Sequence, residues 1–291
     1  MKNNSGNLLR DYLQLSKLKI MLPVSLTGFT GYFIYNPHLS VNIILVSFGV
    51  LLMAISASAL NQVQEVALDS KMKRTLGRPI PAGRIKIKNA VFFSICSMLT
   101  GTSLIWLYGN LTASLVGLFT ILWYNGVYTY SKRITAFAVV PGALTGALPP
   151  LIGWVAAGGG LWDKPIIFLE FLFFTGQIPH FWLLIIKYGE EYSKAGIPAL
   201  TDIFNNEQIN RLTFIWVIVS VIAALFLCYF EVIRSGPIIL ILLAASAFLI
   251  WRFSALLRTE ADRNTSKKYS ILLDSYFLLV LLLLIADRII G

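Results

Sequence analysis

The chain has 291 residues, of which 57% are hydrophobic and only 13% charged, and its mean hydropathy is +0.73. Soluble domains carry about one-quarter charged residues, so this composition excludes an ordinary soluble protein and indicates an integral membrane protein. The net charge of +10 could suggest a nucleic-acid partner, but the cations flank apolar runs rather than forming a basic, aromatic-rich soluble domain. We therefore predict a lipid bilayer as a partner of the chain, and no nucleic acid.

Apolar runs of about 20 residues, bounded by charges or turn-forming residues, predict about nine membrane-spanning helices. The expected fold class is all-α, a polytopic helical bundle that forms one domain over residues 1–291. Residues 1–19 are expected to be cytoplasmic, and Arg10 to Lys19 has the pattern of an amphipathic interfacial helix. The predicted spans are Ile20–Tyr35, Val41–Val66, Ala90–Tyr108, Leu111–Tyr130, Ala136–Ala156, Pro165–Lys187, Leu212–Val232, Pro237–Leu257 and Ile271–Ile290. The Pro149-Pro150 pair is expected to interrupt the fifth of them.

The positive charges alternate between connections and so predict the orientation of the chain. All but three of the 24 lysines and arginines lie in the N-terminal segment or in the connections after even-numbered spans. The three exceptions are Lys164, Arg234 and Arg288. Because positively charged connections remain in the cytoplasm, we expect the N-terminus there and the C-terminus on the other side.

The second span ends in an unusually polar segment. Asn61, Glu65 and Asp69 are spaced i, i+4, i+8, so on a helix they can present several oxygen atoms to one hard cation. Polar side chains at the end of an apolar helix are costly and usually functional. The alternative is that they snorkel or pack between helices.

A cluster of cations follows this segment at once. Lys73, Arg74 and Arg78 could neutralise a polyanion that the same cation holds. Carboxylates and cations in this order predict a diphosphate site at the membrane surface.

A second acidic pair, Glu190 and Glu191, is predicted on the same membrane face. It lies in a connection that begins at Lys187 and runs on to Asp202. Two acidic clusters on one face can share a diphosphate through Mg²⁺, because Mg²⁺ prefers one or two carboxylates plus phosphate oxygens. Ordinary solvated loop charges are the alternative reading.

Four segments carry a resemblance to a known family. The stretch from Asn61 to Arg84 resembles the first motif of the UbiA-type intramembrane prenyltransferases. Its residues are similar to those of the haem O synthase branch of that superfamily. The other three segments agree with the same branch, and they are Gly146–Trp154, Pro179–Trp182 and Tyr192–Pro198.

The resemblance assigns roles to residues of this chain. The superfamily's first motif falls on Asn61, Gln62, Glu65 and Asp69, where Gln62 replaces an acid, and its second falls on Glu190 and Glu191. The implied metal ligands are Glu65, Asp69, Glu190 and Glu191. The implied catalytic residues are Asn61, Glu65, Asp69, Lys73 and Arg74, and the implied substrate-binding residues are Arg78, Lys187, Glu190 and Glu191.

The implied reaction transfers a farnesyl group from farnesyl diphosphate to a vinyl group of haem b. Its products are haem O and diphosphate, and Mg²⁺ is the implied cofactor. The implied location is the cell inner membrane, with the active face towards the cytoplasm. Haem A synthase or a haem–copper oxidase assembly is an implied candidate partner.

His180 is the candidate contact for the haem. It lies about two helical turns before Lys187, whereas the other histidine, His38, lies in a connection predicted to face away from the cytoplasm. Imidazole is a common ligand of haem iron. The alternative is a buried histidine that is hydrogen-bonded within the bundle, near Gln177. Asp274, like Glu170, is an intramembrane acid with no assigned role, for which contacts inside the bundle are the default.

Three other functions compete with this one. A UbiA-type enzyme with an aromatic or quinone-precursor acceptor would share the first motif but not necessarily His180. A membrane transporter would place paired polar residues near the bilayer midplane, usually in repeated broken helices, whereas here the charges concentrate at one face. A non-catalytic assembly factor for an oxidase would keep its function when Glu65 or Asp69 is replaced.

Overall fold

The computed structural model describes residues 5–258 and 263–290. This part of the chain contains no β-strand, which confirms the prediction of an all-α membrane bundle. Short 3₁₀ turns lie at Leu200–Asp202 and Ala255–Leu257, and a π-helical segment lies at Trp123–Tyr128. The α-helices are α1 Ser5–Ser16, α2 Leu18–Tyr35, α3 Val41–Gln64, α4 Val66–Asp69, α5 Ile87–Tyr108, α6 Leu111–Leu122, α7 Thr129–Ser131, α8 Val139–Ala156, α9 Lys164–Lys194, α10 Asn206–Tyr229, α11 Gly236–Ser254 and α12 Arg263–Ile290.

Within residues 5–258 and 263–290, eight helical segments are long and apolar enough to cross a bilayer. They correspond to the second to ninth predicted spans. The first predicted span, Ile20–Tyr35, lies in α2, which packs against α3 and α8 but is not one of the eight. The total of nine spans and the cytoplasmic N-terminus stay predictions.

Helices α2 and α8 approach closely through glycines. A Cβ atom built on Gly153 would lie 1.9 Å from the Gly28 carbonyl oxygen, and one built on Gly31 would lie 2.0 Å from the Pro150 carbonyl oxygen. The expectation that Pro149-Pro150 interrupts this span is wrong, because α8 continues through both residues. The fixed φ of proline is compatible with a helix. This close contact fixes the position of α2 on the bundle.

The helix ends near the charged face also differ from expectation. Glu65 leaves helical geometry with φ −101° and ψ 8°, so the second span divides into α3 and the short α4. Helix α9 continues to Lys194, and Gly196 at φ +79° follows its end. The prediction that Glu190 and Glu191 lie in a connection is therefore wrong, since both lie on the last turns of α9.

The fourth span contains the π-helical segment where it reaches the charged face. The Asn125 side chain donates hydrogen bonds to the Gln64 Oε1 atom (3.0 Å) and the Ala57 carbonyl oxygen (3.1 Å). The Gln64 side chain donates in return to the Asn125 carbonyl oxygen at 3.1 Å. These bonds hold the π-helical segment against the end of α3. A π-helical turn inside an α-helix is rare and is frequently found at functional sites.

Candidate active site

A polar cavity of about 150 Å³ lies at the charged end of the bundle. It is enclosed by the α1–α2 junction, the end of α3 with α4 and the connection after it, the π-helical segment and the region around the end of α9. Four cations and two carboxylates face it, and they are Lys17, Arg74, Arg78, Lys132, Glu65 and Asp69. The other lining residues are Asn61, Leu68, Met72, Tyr124, Tyr128, Tyr192 and Ile197. The excess of cations makes the cavity suited to a polyanion.

Both carboxylates are paired with cations. The Arg78 Nη1 atom donates to the two Asp69 carboxylate oxygens at 2.8 and 2.6 Å, and the Lys132 Nζ atom lies 2.5 Å from the Glu65 Oε1 atom. The Asp69 side chain is only 2% exposed. A buried charge without a partner would be strongly destabilising, so each carboxylate needs a cation beside it.

Asn61 lines the cavity, and its amide nitrogen is bonded to a neighbouring segment. The Asn61 Nδ2 atom donates to the Thr129 Oγ1 atom at 3.0 Å, and the Thr129 hydroxyl donates to the Tyr124 carbonyl oxygen at 2.9 Å. This chain of bonds ties the end of α3 to the fourth span. Asn61, Glu65 and Asp69 thus line one cavity, although the helix that carries them is broken at Glu65.

Lys17 enters the cavity from the junction between α1 and α2. Its backbone is left-handed (φ 47°, ψ 42°), which is uncommon for a residue other than glycine. Burial is the main cause that lowers the pKa of Lys17 to about 7, and the nearby cations Arg78 and Lys132 lower it further. Glu65 and Asp69 act in the opposite direction. Lys17 is therefore a cation whose charge depends on what occupies the cavity.

Arg74 connects the cavity to α9. Its guanidinium carbon lies 4.8 Å from the ring centroid of Tyr188, and its Nη2 atom donates to the Tyr192 hydroxyl at 3.2 Å. Both tyrosines lie on the last turns of α9. The structure thus brings this end of the helix to the first motif through aromatic side chains.

Gln62 turns away from the cavity. It is fully buried, and its Nε2 atom donates to the Leu15 carbonyl oxygen at 2.7 Å. Leu15 belongs to α1, so Gln62 fastens this helix to α3. The superfamily has an acidic residue at this motif position, whereas this chain has a glutamine that joins two helices.

Three of the remaining predicted site residues, Lys73, Glu191 and His180, are not among the residues that line the cavity. Lys73 is exposed to solvent, and Glu191 is half-buried with an Oε2 atom that has no hydrogen-bond partner among the described residues. The side chains of Lys187 and Glu190 lie outside the described part of the structure. His180 contacts Asp274 of α12 instead of Gln177, with 2.8 Å between the Nδ1 and Oδ1 atoms.

The donor atoms in the cavity fit a magnesium ion that is bound together with a phosphate ligand. Glu65, Asp69 and Asn61 line the same space, and the Asn61 amide nitrogen is already bonded to Thr129, which leaves its side-chain oxygen as the atom that can bind a metal. Among the side chains that the structure describes, which do not include that of Glu190, no group of three or more His, Cys, Asp or Glu is close enough to hold a metal. Mg²⁺ commonly binds to one or two carboxylates and completes its shell with phosphate and water oxygens. The assignment of Glu190 and Glu191 to the metal stays a prediction.

Sequence reasoning missed the two lysines and three tyrosines that line the cavity, and they are Lys17, Lys132, Tyr124, Tyr128 and Tyr192. The two lysines could have been predicted from their place in the sequence, because each lies at the end of a predicted helix on the face expected to bind the diphosphate. The tyrosines gave none, because aromatic residues are common at membrane interfaces whatever their role.

The sequence profile of the UbiA prenyltransferase family matches residues 22–282. The chain belongs to this family. It is 33% identical over 279 residues to a protoheme IX farnesyltransferase of Nitratidesulfovibrio vulgaris, covering 96% of this chain and 95% of the relative. It is 37% identical to a protoheme IX farnesyltransferase of Legionella pneumophila, covering 83% of each chain. These relationships identify a transferase of the UbiA family.

Solved structures of UbiA-type proteins share the fold. A digeranylgeranylglyceryl phosphate synthase superposes with a TM-score of 0.78 at 21% identity, covering 98% of this chain and all of that protein. A UbiA homologue from Archaeoglobus fulgidus bound to DMAPP and Mg²⁺ gives a TM-score of 0.67 at 16% identity, covering 94% of this chain and 99% of that one. The chain is thus a multi-pass membrane protein with the helical bundle of UbiA prenyltransferases.

Proposed function

We propose that this chain transfers a farnesyl group from farnesyl diphosphate to a vinyl group of haem b. The allylic carbon–oxygen bond breaks, diphosphate leaves with the bonding electrons, and a new carbon–carbon bond forms to the vinyl group. Water then supplies the hydroxyl group and loses one proton, which gives the hydroxyethylfarnesyl side chain. The observation that carries the proposal is the similarity to protoheme IX farnesyltransferases over 96% of the chain.

The cavity supports the donor half of this reaction. Negative charge develops on the diphosphate as the allylic bond breaks, and preformed cations stabilise that charge more strongly there than in water. Lys17, Arg74, Arg78 and Lys132 are the cations that face the cavity. We assign them to the diphosphate, and we assign Glu65, Asp69 and Asn61 to a Mg²⁺ ion that adds further neutralising charge.

An apolar surface next to the cavity suits the prenyl chain. A smaller pocket of about 20 Å³ shares Lys132, Tyr192 and Ile197 with the cavity, and Phe181 and Ile185 of α9 also line it. Side chains of this kind exclude water from an allylic cation and so prevent its early hydrolysis. We place the first isoprene unit of the donor against this surface.

The charge distribution supports a cytoplasmic active face in the cell inner membrane. The haem product would pass from there to haem A synthase or to a haem–copper oxidase assembly.

The test is transfer by purified protein in detergent with haem b, farnesyl diphosphate and Mg²⁺, with and without EDTA, followed by mass spectrometry of the haems. We expect metal-dependent hydroxyethylfarnesyl haem. Glu65→Gln should lower the rate by about 100-fold or more, since removing one group that stabilises developing charge costs roughly 10²–10³ in rate. Glu207→Gln is the matched control, because Glu207 forms an exposed pair with Arg211 outside the cavity and should leave the rate unchanged.

Two results would contradict the proposal in different ways. Prenylation of a phenolic or quinone-precursor acceptor, with no haem product, would keep the donor site and overturn the acceptor. Equal rates for Glu65→Gln and the unaltered chain would overturn the assignment of the cavity.

A further inference from the structure

We infer that Gln62 is a positioning residue for the diphosphate site, because it caps the end of α1 and so holds the Lys17 side chain at the cavity. The inference rests on the proposed function in one respect only, which is that the ligand of the cavity is a diphosphate. It does not depend on the acceptor. Gln62 is fully buried and is not among the residues that line the cavity, so its effect on a ligand must pass through another residue.

The end of α1 is capped by a side chain from α3. The last four carbonyl groups of an α-helix have no amide partner within the helix, and the Leu15 carbonyl is one of them because α1 ends at Ser16. The Gln62 Nε2 atom donates to the Leu15 carbonyl oxygen at 2.7 Å and to the Ser58 carbonyl oxygen at 3.4 Å. A carboxylate can only accept hydrogen bonds, so it would be repelled by these two oxygens. The cap therefore requires a donor at residue 62.

Lys17 follows the capped turn and has an unusual backbone. Its conformation is left-handed, with φ 47° and ψ 42°. Many helices end on a residue in this conformation, but that residue is usually glycine, because a Cβ atom makes the conformation unfavourable. The Lys17 N–H donates to the Gln14 carbonyl oxygen at 3.2 Å, and the Lys17 carbonyl oxygen accepts from the Ile20 N–H at 2.8 Å as α2 begins. The direction of the Lys17 side chain thus depends on where the last turn of α1 lies.

A second set of contacts holds α1 from the connection after α4. The Arg84 Nε atom donates to the Asp11 Oδ1 atom at 2.7 Å, and the Arg84 Nη2 atom donates to the Gln14 Oε1 atom at 2.8 Å. These bonds keep the helix on the bundle, but they do not reach the two residues that precede Lys17. Gln62 supplies the bond at that point.

Lys17 needs this support because it lines a cavity that already contains other cations. Arg78 and Lys132 line the same cavity, and both repel the Lys17 ammonium group. A lysine side chain is flexible and strongly hydrated, so it would leave for water unless its backbone were held beside the cavity. A cation that is already in place spares an arriving diphosphate the cost of ordering it. Loss of the Gln62 cap should therefore weaken diphosphate binding through Lys17.

The experiment is a double-mutant cycle on the binding of farnesyl diphosphate. The full-length chain in detergent is titrated with farnesyl diphosphate and Mg²⁺ by isothermal titration calorimetry, with no haem present. Gln62→Met removes the donor at nearly unchanged volume, and Lys17→Met removes the cation. Each change should weaken binding about 10-fold, and the double variant should bind within about twofold of Lys17→Met, because the two residues act as one unit.

Gln208→Met is the matched control. Gln208 also caps a helix, since its Oε1 atom accepts from the Asn205 N–H at the start of α10, but it lies outside the cavity. This variant should leave the affinity unchanged. Hydrogen–deuterium exchange of residues 8–19, without ligand, tests the cap itself and should be faster in Gln62→Met than in the unaltered chain. If Gln62→Met does not fold, Gln62→Asn takes its place, because its amide ends one carbon short of the Leu15 carbonyl.

Several outcomes would overturn the inference. They are an additive cycle, in which the double variant binds more weakly than either single variant by about 10-fold, an unchanged affinity in Gln62→Met, and unchanged exchange in residues 8–19. If haem O is formed while the cycle is additive, the proposed function stands and this inference fails. If the cycle is not additive but no haem product is formed, the reverse holds. If the unaltered chain does not bind farnesyl diphosphate, both fail.

Discussion

Lys17 shows how one side chain can couple the occupancy of the cavity to protonation. Its backbone is left-handed, its half-buried side chain lies near Arg78 and Lys132, and its pKa is lowered to about 7. The folded chain therefore binds fewer protons at Lys17 than the unfolded chain between about pH 7 and pH 10.5. Consequently this residue makes the folded state more stable as the pH rises through that range. A bound anion beside Lys17 would favour its charged form and so raise its pKa.

Diphosphate binding should consequently take up a proton at Lys17. An anion in the cavity favours the charged ammonium, so the affinity for farnesyl diphosphate should fall as the pH rises above 7, by up to about 10-fold per pH unit. Isothermal titration calorimetry in buffers of different ionisation enthalpy measures the uptake directly. Lys17→Arg is the control for titration of the ligand itself, because arginine stays charged. An identical pH profile for Lys17→Arg and the unaltered chain would show that Lys17 plays no part.

At the scale of helices, a few polar contacts determine which side chains reach the cavity. The side chain of Asn125 is held between Gln64 and the backbone of Ala57, and the π-helical segment around it turns Tyr124 and Tyr128 towards the cavity. The interruption of the helix at Glu65 is the corresponding feature on α3. Neither feature follows from hydropathy, which is the same for a π-helical turn and an α-helical turn.

Replacing Asn125 by Ala should loosen this junction. The change removes two side-chain hydrogen bonds and leaves the Gln64 Oε1 atom without its donor, which should lower the free energy of unfolding by about 1–3 kcal/mol. Thermal unfolding in detergent measures the loss. Ser254→Ala is a suitable control, because that exposed serine bonds only to the carbonyl oxygen of Trp251 within its own helix. A Tm that falls equally in both variants would contradict the role given to Asn125.

The spans from the second to the ninth follow from apolar length, and the spacing of Asn61, Glu65 and Asp69 was enough to find one side of the cavity. Other parts depended on contacts between distant segments. The partner of His180 lies on α12, which is far along the chain, and no local pattern connects the two. The continuation of α9 to Lys194 was missed because its last turns are polar, and polar segments next to a span were interpreted as connections.

At the scale of the whole molecule, the charged cavity lies at one end of an apolar bundle. The connection that contains Lys73 and the connection that contains Trp162 are separated by three membrane-crossing segments, so they belong on opposite faces. Both residues are exposed, and Trp162 is 84% exposed. The pair gives a direct test of the predicted orientation.

Cysteine labelling should distinguish the two faces. The native thiols, Cys96 and Cys228, are first replaced by Ser and Ala, and a single cysteine is then introduced as Lys73→Cys or Trp162→Cys. An impermeant maleimide should label the first variant only in inside-out membrane vesicles and the second only in right-side-out vesicles. The opposite pattern would place the cavity on the outer face and would reverse the proposed route of the substrates.

The two ion pairs inside the cavity have a consequence for how the metal and the diphosphate affect each other's binding. Each carboxylate is already engaged by a cation, Glu65 by Lys132 and Asp69 by Arg78. A lone metal ion must compete with those lysine and arginine side chains, and a lone diphosphate must compete with the carboxylates. When both arrive, the carboxylates can turn to the metal and the cations to the phosphates, so no charge is left without a partner. Each ligand should therefore strengthen the binding of the other, and the chain should discriminate against either one alone.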